Sequence, residues 1–359
     1  MNRIQVGLLL LAVLVLVSPG LSSGAPVRPL TGVVFSISSA VPPPGTAYFW
    51  IGSYLGYFAE EGIRFKVQTA MGGTQVTQGM LARRIQLAGA NQDSVLAEAT
   101  TGARLPIKFV MNTLHTTIYQ FAVKPDSKIA RIEDLRGKTV GVNSFGSGSH
   151  AYARAVLQKA GINPDTEVRF LAVQQDAIAA EALNRGDVDA LALWDLTYAT
   201  MQKVLGRELR FLDQPGFLKD IRVGVMITTS EDFLRTRRDL VVGYGRAVAK
   251  SMLFMAVNPE AAVRIHWKIF PESKPTGVSE REALLDNLAQ LEARIPKFLK
   301  AGYTQPLWGY FDLRGAQAYI DFYGYKGVDA SLFYDPSLLK EINAFDDNAI
   351  IKQARQFKH

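Results

Sequence analysis

The 359-residue chain contains no cysteine, which excludes a disulfide framework, a thiolate metal site and a lipid anchor carried on a cysteine. Histidine is almost as scarce. The four present, His115, His150, His266 and His359, show no HExxH or other metal-ligand spacing. There is also no GxSxG elbow, P-loop or GxGxxG turn, so the sequence marks of the common hydrolase, phosphate-transfer and dinucleotide chemistries are missing. Neither a cofactor nor a metal site is expected. His115 and His150 do follow strand exits, which keeps an exported lyase or hydrolase, with one of them as base, as a rival reading. Long apolar runs are lacking too: Val6 to Val17 is shorter than the ~20 residues a membrane span needs, and no later segment comes close.

What is present is ordinary globular composition, 48% hydrophobic and 20% charged. Residues 1–25 combine Arg3, the apolar run, a Pro-Gly break and small residues from Ser22 to Ala25, the layout of a secretory signal peptide. Export without a lipid anchor points to a periplasm confined by an outer membrane. The formal charge of +7 is spread along the chain with no nucleic-acid motif. It mildly favours anionic ligands or an anionic membrane face, and nucleic acid is not an expected partner.

The segment 31–39 alternates as a strand, and the proline-stiffened loop 41–46 (VPPPGT) that follows is read as non-helical. Helix is expected over 47–62 and strand over 63–70. MGGTQ (71–75) is a tight turn, and a further helix, strand, helix and strand run to LPIKFVMNT. From about 123 the grammar restarts, after the stretch HTTIYQFAVKPDS is read as passing through a Lys-Pro turn. KTVGVN (138–143), VRFLAV (168–173), VDALALWD (188–195) and RVGVMITT (222–229) are strands separated by helices, and the rest is helical. Two β–α–β–α units of similar plan imply an α/β protein whose two lobes each hold a mostly parallel sheet flanked by helices. The boundaries fall at 31–122 with 226–345 for one lobe and 123–225 for the other, leaving 346–359 as a tail.

Ligands in parallel α/β sheets bind outside the carboxyl ends of the strands. Here those exits are VPPPGT, MGGTQ, ANQDS, MNTLH, VNSFGSGS, AVQQD and LWDLT, rich in Gly, Ser, Thr, Asn and Gln. If Ser147 or Ser149 caps the helix AYARAVLQKA, its first-turn N–H groups and dipole form an anion-attracting end that Gly146 and Gly148 leave accessible. Plain helix capping is the competing account. Trp194 either stacks on a flat ligand or wedges between sheet and helix. Asp93 and Asp195 either accept from an amine or ring N–H or cap helices. Tyr48 and Trp50 either line a pocket mouth or join the core. One helix end contributes roughly 0.3–2 kcal/mol against the ~8 that micromolar binding needs, so several loops must converge.

Taken together, YFWIGSYLGYFAEEGIRFKV, MGGTQ, IQLAGANQDSVLAEATTGA, IEDLRGKTVGVNSFGSGSHAYARAVLQKAGI and AEALNRGDVDALALWDLTYA resemble the NMT1/THI5-like family. These are periplasmic solute-binding proteins of ABC importers for nitrate, taurine, alkanesulfonates and thiamine-pyrimidine precursors. The resemblance runs from about 31 to about 325. It implies a type II periplasmic-binding-protein fold with the cleft between two lobes joined by crossover strands. It also implies a monomeric, non-enzymatic receptor that delivers a small polar anionic or zwitterionic solute to an inner-membrane permease. A ligand-sensing module for a membrane receptor is the alternative on the same fold. The contacts it implies are Thr46, Tyr48, Gly73, Thr74, Asn91, Gln92, Asp93 and Asn112 from the first lobe, and Ser147, Gly148, Ser149, Gln174 and Trp194 from the second. The VPPPG loop and the Asn-Gln-Asp tip, where the sulfonate binders have a smaller Gly-Ser-Thr tip, depart from the sulfonate pattern. The absence of cysteine separates the chain from the fungal members that make the thiamine pyrimidine.

Overall fold

The computed structural model describes residues 29–39, 41–70, 72–89, 92–298 and 307–358; the expected signal peptide lies outside them. Ten strands form: β1 (Thr31–Ile37), β2 (Ile63–Thr69), β3 (Leu87–Gly89), β4 (Ile107–Asn112), β5 (Tyr119–Val123), β6 (Thr139–Val142), β7 (Arg169–Ala172), β8 (Ala190–Trp194), β9 (Arg210–Phe211) and β10 (Met226–Ser230). They make two five-stranded sheets, ordered β2-β1-β3-β10-β4 and β7-β6-β8-β5-β9. β1, β2 and β3 are mutually parallel, as are β6, β7 and β8. β10 runs against both of its neighbours, and so does β5.

The two sheets thus repeat one plan, and in each the reversed strand is the one whose chain has just arrived from the other sheet. Sequence reading missed β5, taking its stretch for a turn. A chain that crosses directly between sheets carries no intervening helix, so it lacks the strand–helix rhythm by which the other strands are recognised.

The two crossings, 113–118 and 212–225, touch each other. The Thr113 N–H and hydroxyl both donate to the Val225 carbonyl, at 2.7 and 2.9 Å. A Cβ on Gly224 would lie 2.4 Å from the Thr116 carbonyl oxygen, so only glycine permits this approach.

Around the first strand exit the structure departs from the expected loop and long helix. Pro44–Phe49 is a 3-10 helix with proline at its start, where the missing N–H costs nothing. Short helices Ile51–Tyr54 and Tyr57–Glu60 follow, broken at Gly56, whose φ of +87° suits glycine. Every residue from Pro44 to Gly52 is buried. The Trp50 indole donates to His266 Nδ1 at 2.9 Å, which places Trp50 in the core rather than at a pocket mouth.

Arg238–Val257 is, among the described residues, one helix long and apolar enough by composition to cross a membrane. It is instead mostly buried, with Tyr244 stacked on Phe35 and Phe58 beneath the first sheet. The later helices do not stay with the first sheet. Glu280–Phe298 packs along Asp195–Leu205, and Leu313–Tyr323 packs on Gly148–Lys159, both partners belonging to the second strand series. One apolar cluster accordingly joins Val95, Leu96 and Phe109 to Val140, Tyr152 and Tyr319. The 346–359 tail contains the helix Asp347–Gln356, docked on Arg238–Val257 with Ile350 and Ala354 buried.

Candidate functional site

Residues following β1, β2 and β3 face residues following β6, β7 and β8 across a cleft of about 1360 Å³. The first side supplies Pro42 to Pro44 with Thr46 and Tyr48, then Gly72 to Gln75, then Asp93 and Ser94. The second supplies Asn143, Ser144, Gly146 to Ser149, Gln175, Asp176 and Trp194, and the helix Glu280–Phe298 roofs part of the space with Asn287, Gln290 and Arg294. Of the sequence-derived contacts, Thr46, Tyr48, Gly73, Thr74, Asp93, Ser147, Gly148, Ser149 and Trp194 line this cleft. Asn91 lies outside the described residues.

Three expected contacts do not line it. Gln92 donates to the Gly224 carbonyl (2.9 Å) and accepts from the Met226 N–H (2.8 Å). Asn112 donates to the Arg222 carbonyl (2.8 Å) and accepts from the Gly224 N–H (3.3 Å). Both amides satisfy the backbone of the return crossing, a use that their position at a strand exit does not reveal. Gln174 is exposed at φ +57°, and this turn presents Gln175 and Asp176 to the cleft in its place.

The Ser-Gly turn caps a helix, as the capping account expected. Ser147 is the N-cap of Gly148–Lys159, its hydroxyl accepting from the His150 N–H and donating to the Ser144 carbonyl (2.6 Å). Ser149 is buried, its hydroxyl accepting from the Asn143 N–H at 3.0 Å. The Gly148 and Ser149 amides have no acceptor among the described residues, and both residues face the cleft. Glycine at 148 is required by its neighbours: a Cβ there would fall 2.3 Å from the Tyr119 hydroxyl and 2.7 Å from Asp93 Oδ2. Asp93 comes from the opposite side of the cleft. Its Oδ1 accepts from the Tyr319 hydroxyl and, at 3.2 Å, from Tyr325. Burial pushes the Asp93 carboxyl above the usual carboxylate range, and the two tyrosine hydrogen bonds oppose that shift.

The charged roof was not foreseen. Arg294 Nη2 and Nε grip Asp195 Oδ1 and Oδ2 at 2.6 and 3.1 Å, with both side chains almost fully buried. Lys297 Nζ lies 3.7 Å from the same carboxylate, and burial pushes its ammonium down while Asp195 opposes the shift. Farther along, the Gln290 amide donates to the Thr200 hydroxyl (3.2 Å), and Lys203 pairs with Asp286. These links run in opposite chain order, so two antiparallel helices are stitched by a polar seam. The sequence did carry a signal for it: Asn287, Gln290 and Arg294 share the buried stripe of an amphipathic helix with Ala283, Leu291 and Phe298. Polar residues on such a stripe need partners.

Among the described residues no histidine lines the cleft, and no group of three metal-ligating side chains occurs. His150 Nδ1 lies 2.9 Å from the Phe145 carbonyl, and His115 is largely buried, which lowers its pKa to about 4.

The riboflavin-binding protein RibY of Chloroflexus aurantiacus is 23% identical to this chain over 275 residues, covering 75% of this chain and 76% of that protein. The aliphatic sulphonate binding protein SsuA of Escherichia coli superposes with a TM-score of 0.62 at 17% identity, over 85% of this chain and 92% of that one. The putative sulfonate-binding SsuA of Methylobacillus flagellatus gives 0.58 at 14% identity, over 92% and 96%. The architecture is therefore the two-lobed periplasmic-binding-protein fold. Residues 44–262, more than half of the chain, match the family described as NMT1/THI5 like, and the chain belongs to that family.

Proposed function

We propose that this protein is the solute-capturing component of an ABC importer, exported by its 1–25 leader and non-enzymatic, which holds a small polar molecule between its sheets and delivers it to an inner-membrane permease. The observation that carries this reading is the cleft itself. Its walls are the strand exits of both sheets, so a ligand there would touch both halves at once and favour their closed arrangement. The lobes on this reading follow the two sheets, 31–112 with 226–345, and 119–211, hinged at the crossings 113–118 and 212–225; β5 thus moves the expected boundary back from 122 to the first crossing.

The ligand reading sharpens from a small anion toward a flat, larger molecule with a polar edge. The cleft volume of about 1360 Å³ exceeds what nitrate or taurine fills. Its arginine is already held by Asp195, while Asp93 and Asp176 add acidic groups to the walls. Trp194, Tyr48 and the proline loop offer apolar faces. Relatives named for riboflavin and for sulfonates bracket this range. Thermal unfolding with riboflavin, aminopyrimidines, MOPS, taurine and nitrate tests it. A ligand at 100 times its Kd adds about 2.7 kcal/mol of stability. Saturable stabilisation by at least one compound is expected, and none across the panel would overturn the proposal.

A further inference from the structure

Asp93 meets the opposite half of the molecule inside the cleft, at Gly148, and its two oxygens are not equivalent. Oδ1 is saturated by the Tyr319 and Tyr325 hydroxyls. Oδ2 has no donor among the described residues and stands over Gly148, beside the Tyr119 hydroxyl, which likewise has no partner among them. Next to this pair lie the free amides of Gly148 and Ser149. The wall therefore offers an acceptor and donors side by side, a pattern that an N–H adjoining a carbonyl complements.

Resting on the reading of the cleft as the ligand site, we infer that Asp93 is its specificity-determining residue. It takes the N–H of a flat lactam or imide heterocycle through Oδ2, while Tyr119 and the Gly148–Ser149 amides meet the adjacent carbonyl. The same oxygen works against the competitors. A sulfonate or nitrate brings only acceptors, and at the helix end it would place oxygen against oxygen and, with Asp93 ionised, charge against like charge. Arg294 adds no net charge against this, since its guanidinium is neutralised by the Asp195 carboxylate. Asp93 itself is held in place, because two tyrosine hydroxyls from the Leu313–Tyr323 helix and its following turn fix the carboxyl plane.

The test titrates the exported chain with lumichrome, a tricyclic imide, and with 1,3-dimethyllumichrome, the same ring system without an N–H. Lumichrome binds saturably, and methylation weakens it by roughly tenfold or more, the effect of leaving a buried acceptor unpaired. Asp93→Asn keeps an oxygen for the two tyrosines and turns an amide N–H toward the cleft, so lumichrome weakens by a similar factor while MOPS gains. The methylation arm needs no variant and stands even if Asp93→Asn folds poorly. Equal affinity for the two ring compounds, an unchanged Asp93→Asn, or tighter binding of MOPS or taurine than of lumichrome by the unaltered chain would overturn the role of Asp93, yet leave the cleft a binding site. Saturable binding of none of these compounds would overturn the role of Asp93, and the proposed function would fall with it only if riboflavin, the aminopyrimidines and nitrate also left the chain unstabilised.

Discussion

The fate of a residue here is decided by which backbone or ring it meets, and His266 illustrates the point. Its ring is fully buried, and Nδ1 accepts from the Trp50 indole, so the imidazole is held neutral. Burial lowers its pKa to about 3 from the ordinary 6.5. The sign follows from that depression. Above pH 6.5 neither folded nor unfolded chain carries the proton, and this contribution to stability is complete. As pH falls toward 3 the unfolded chain takes up a proton that the folded chain refuses, and stability drops by up to about 1.4 kcal/mol per pH unit from this group. Urea unfolding between pH 7 and 4 should therefore show a shallower decline for His266→Gln than for the unaltered chain, although the variant starts lower at pH 7. Parallel declines would refute the assignment. Nothing in the sequence pairs residue 50 with residue 266, so Trp50 could be read only as core or pocket mouth. Gln92 and Asn112 were misplaced for a related reason: strand-exit position and polarity are the same for a ligand contact and for a clamp on a distant carbonyl.

Elements were legible where their pattern is local. The exposed-buried alternation along β2, the Ser147 cap and the Gly186 stop of Asp176–Arg185 are carried by neighbouring residues and stand where expected, whereas β1, also found in place, ends in three consecutive buried residues. β5 was not, because it enters straight from a crossing, with no helix before it to mark a strand–helix alternation. The seam between Asp195–Leu205 and Glu280–Phe298 is also a long-range product, with Asp195 and Arg294 as its buried end. Removing one member of a buried pair strands the other charge. Asp195→Asn should thus cost roughly 3–5 kcal/mol, while adding Arg294→Met should recover much of that loss. Chemical denaturation of the single and double variants measures it. A double variant no more stable than Asp195→Asn would show that Arg294 is accommodated without its partner.

For the molecule as a whole, the restart of the strand series near residue 123 made two sheets readable, but not how the terminal helices are shared between them. Helices after β10 contribute to both halves, and the halves also meet at two glycines. One is Gly148 against Asp93. The other is Gly45, where a Cβ would sit 2.4 Å from the Leu196 side chain. Gly45→Ala should hold the halves apart. Small-angle scattering should then give a larger radius of gyration without ligand, and a bound solute should be weakened by about tenfold, a loss near 1.4 kcal/mol. An unchanged radius and affinity would mean that Leu196 simply turns aside.

The contact at Gly224 reaches further. Pressed main chain to main chain, the paired passages form a narrow waist, stiffened on one side by the Gln92 and Asn112 clamps. On the proposed function, such a waist would let the molecule nod while resisting shear, and a guest would enter by the lip farthest from residue 224.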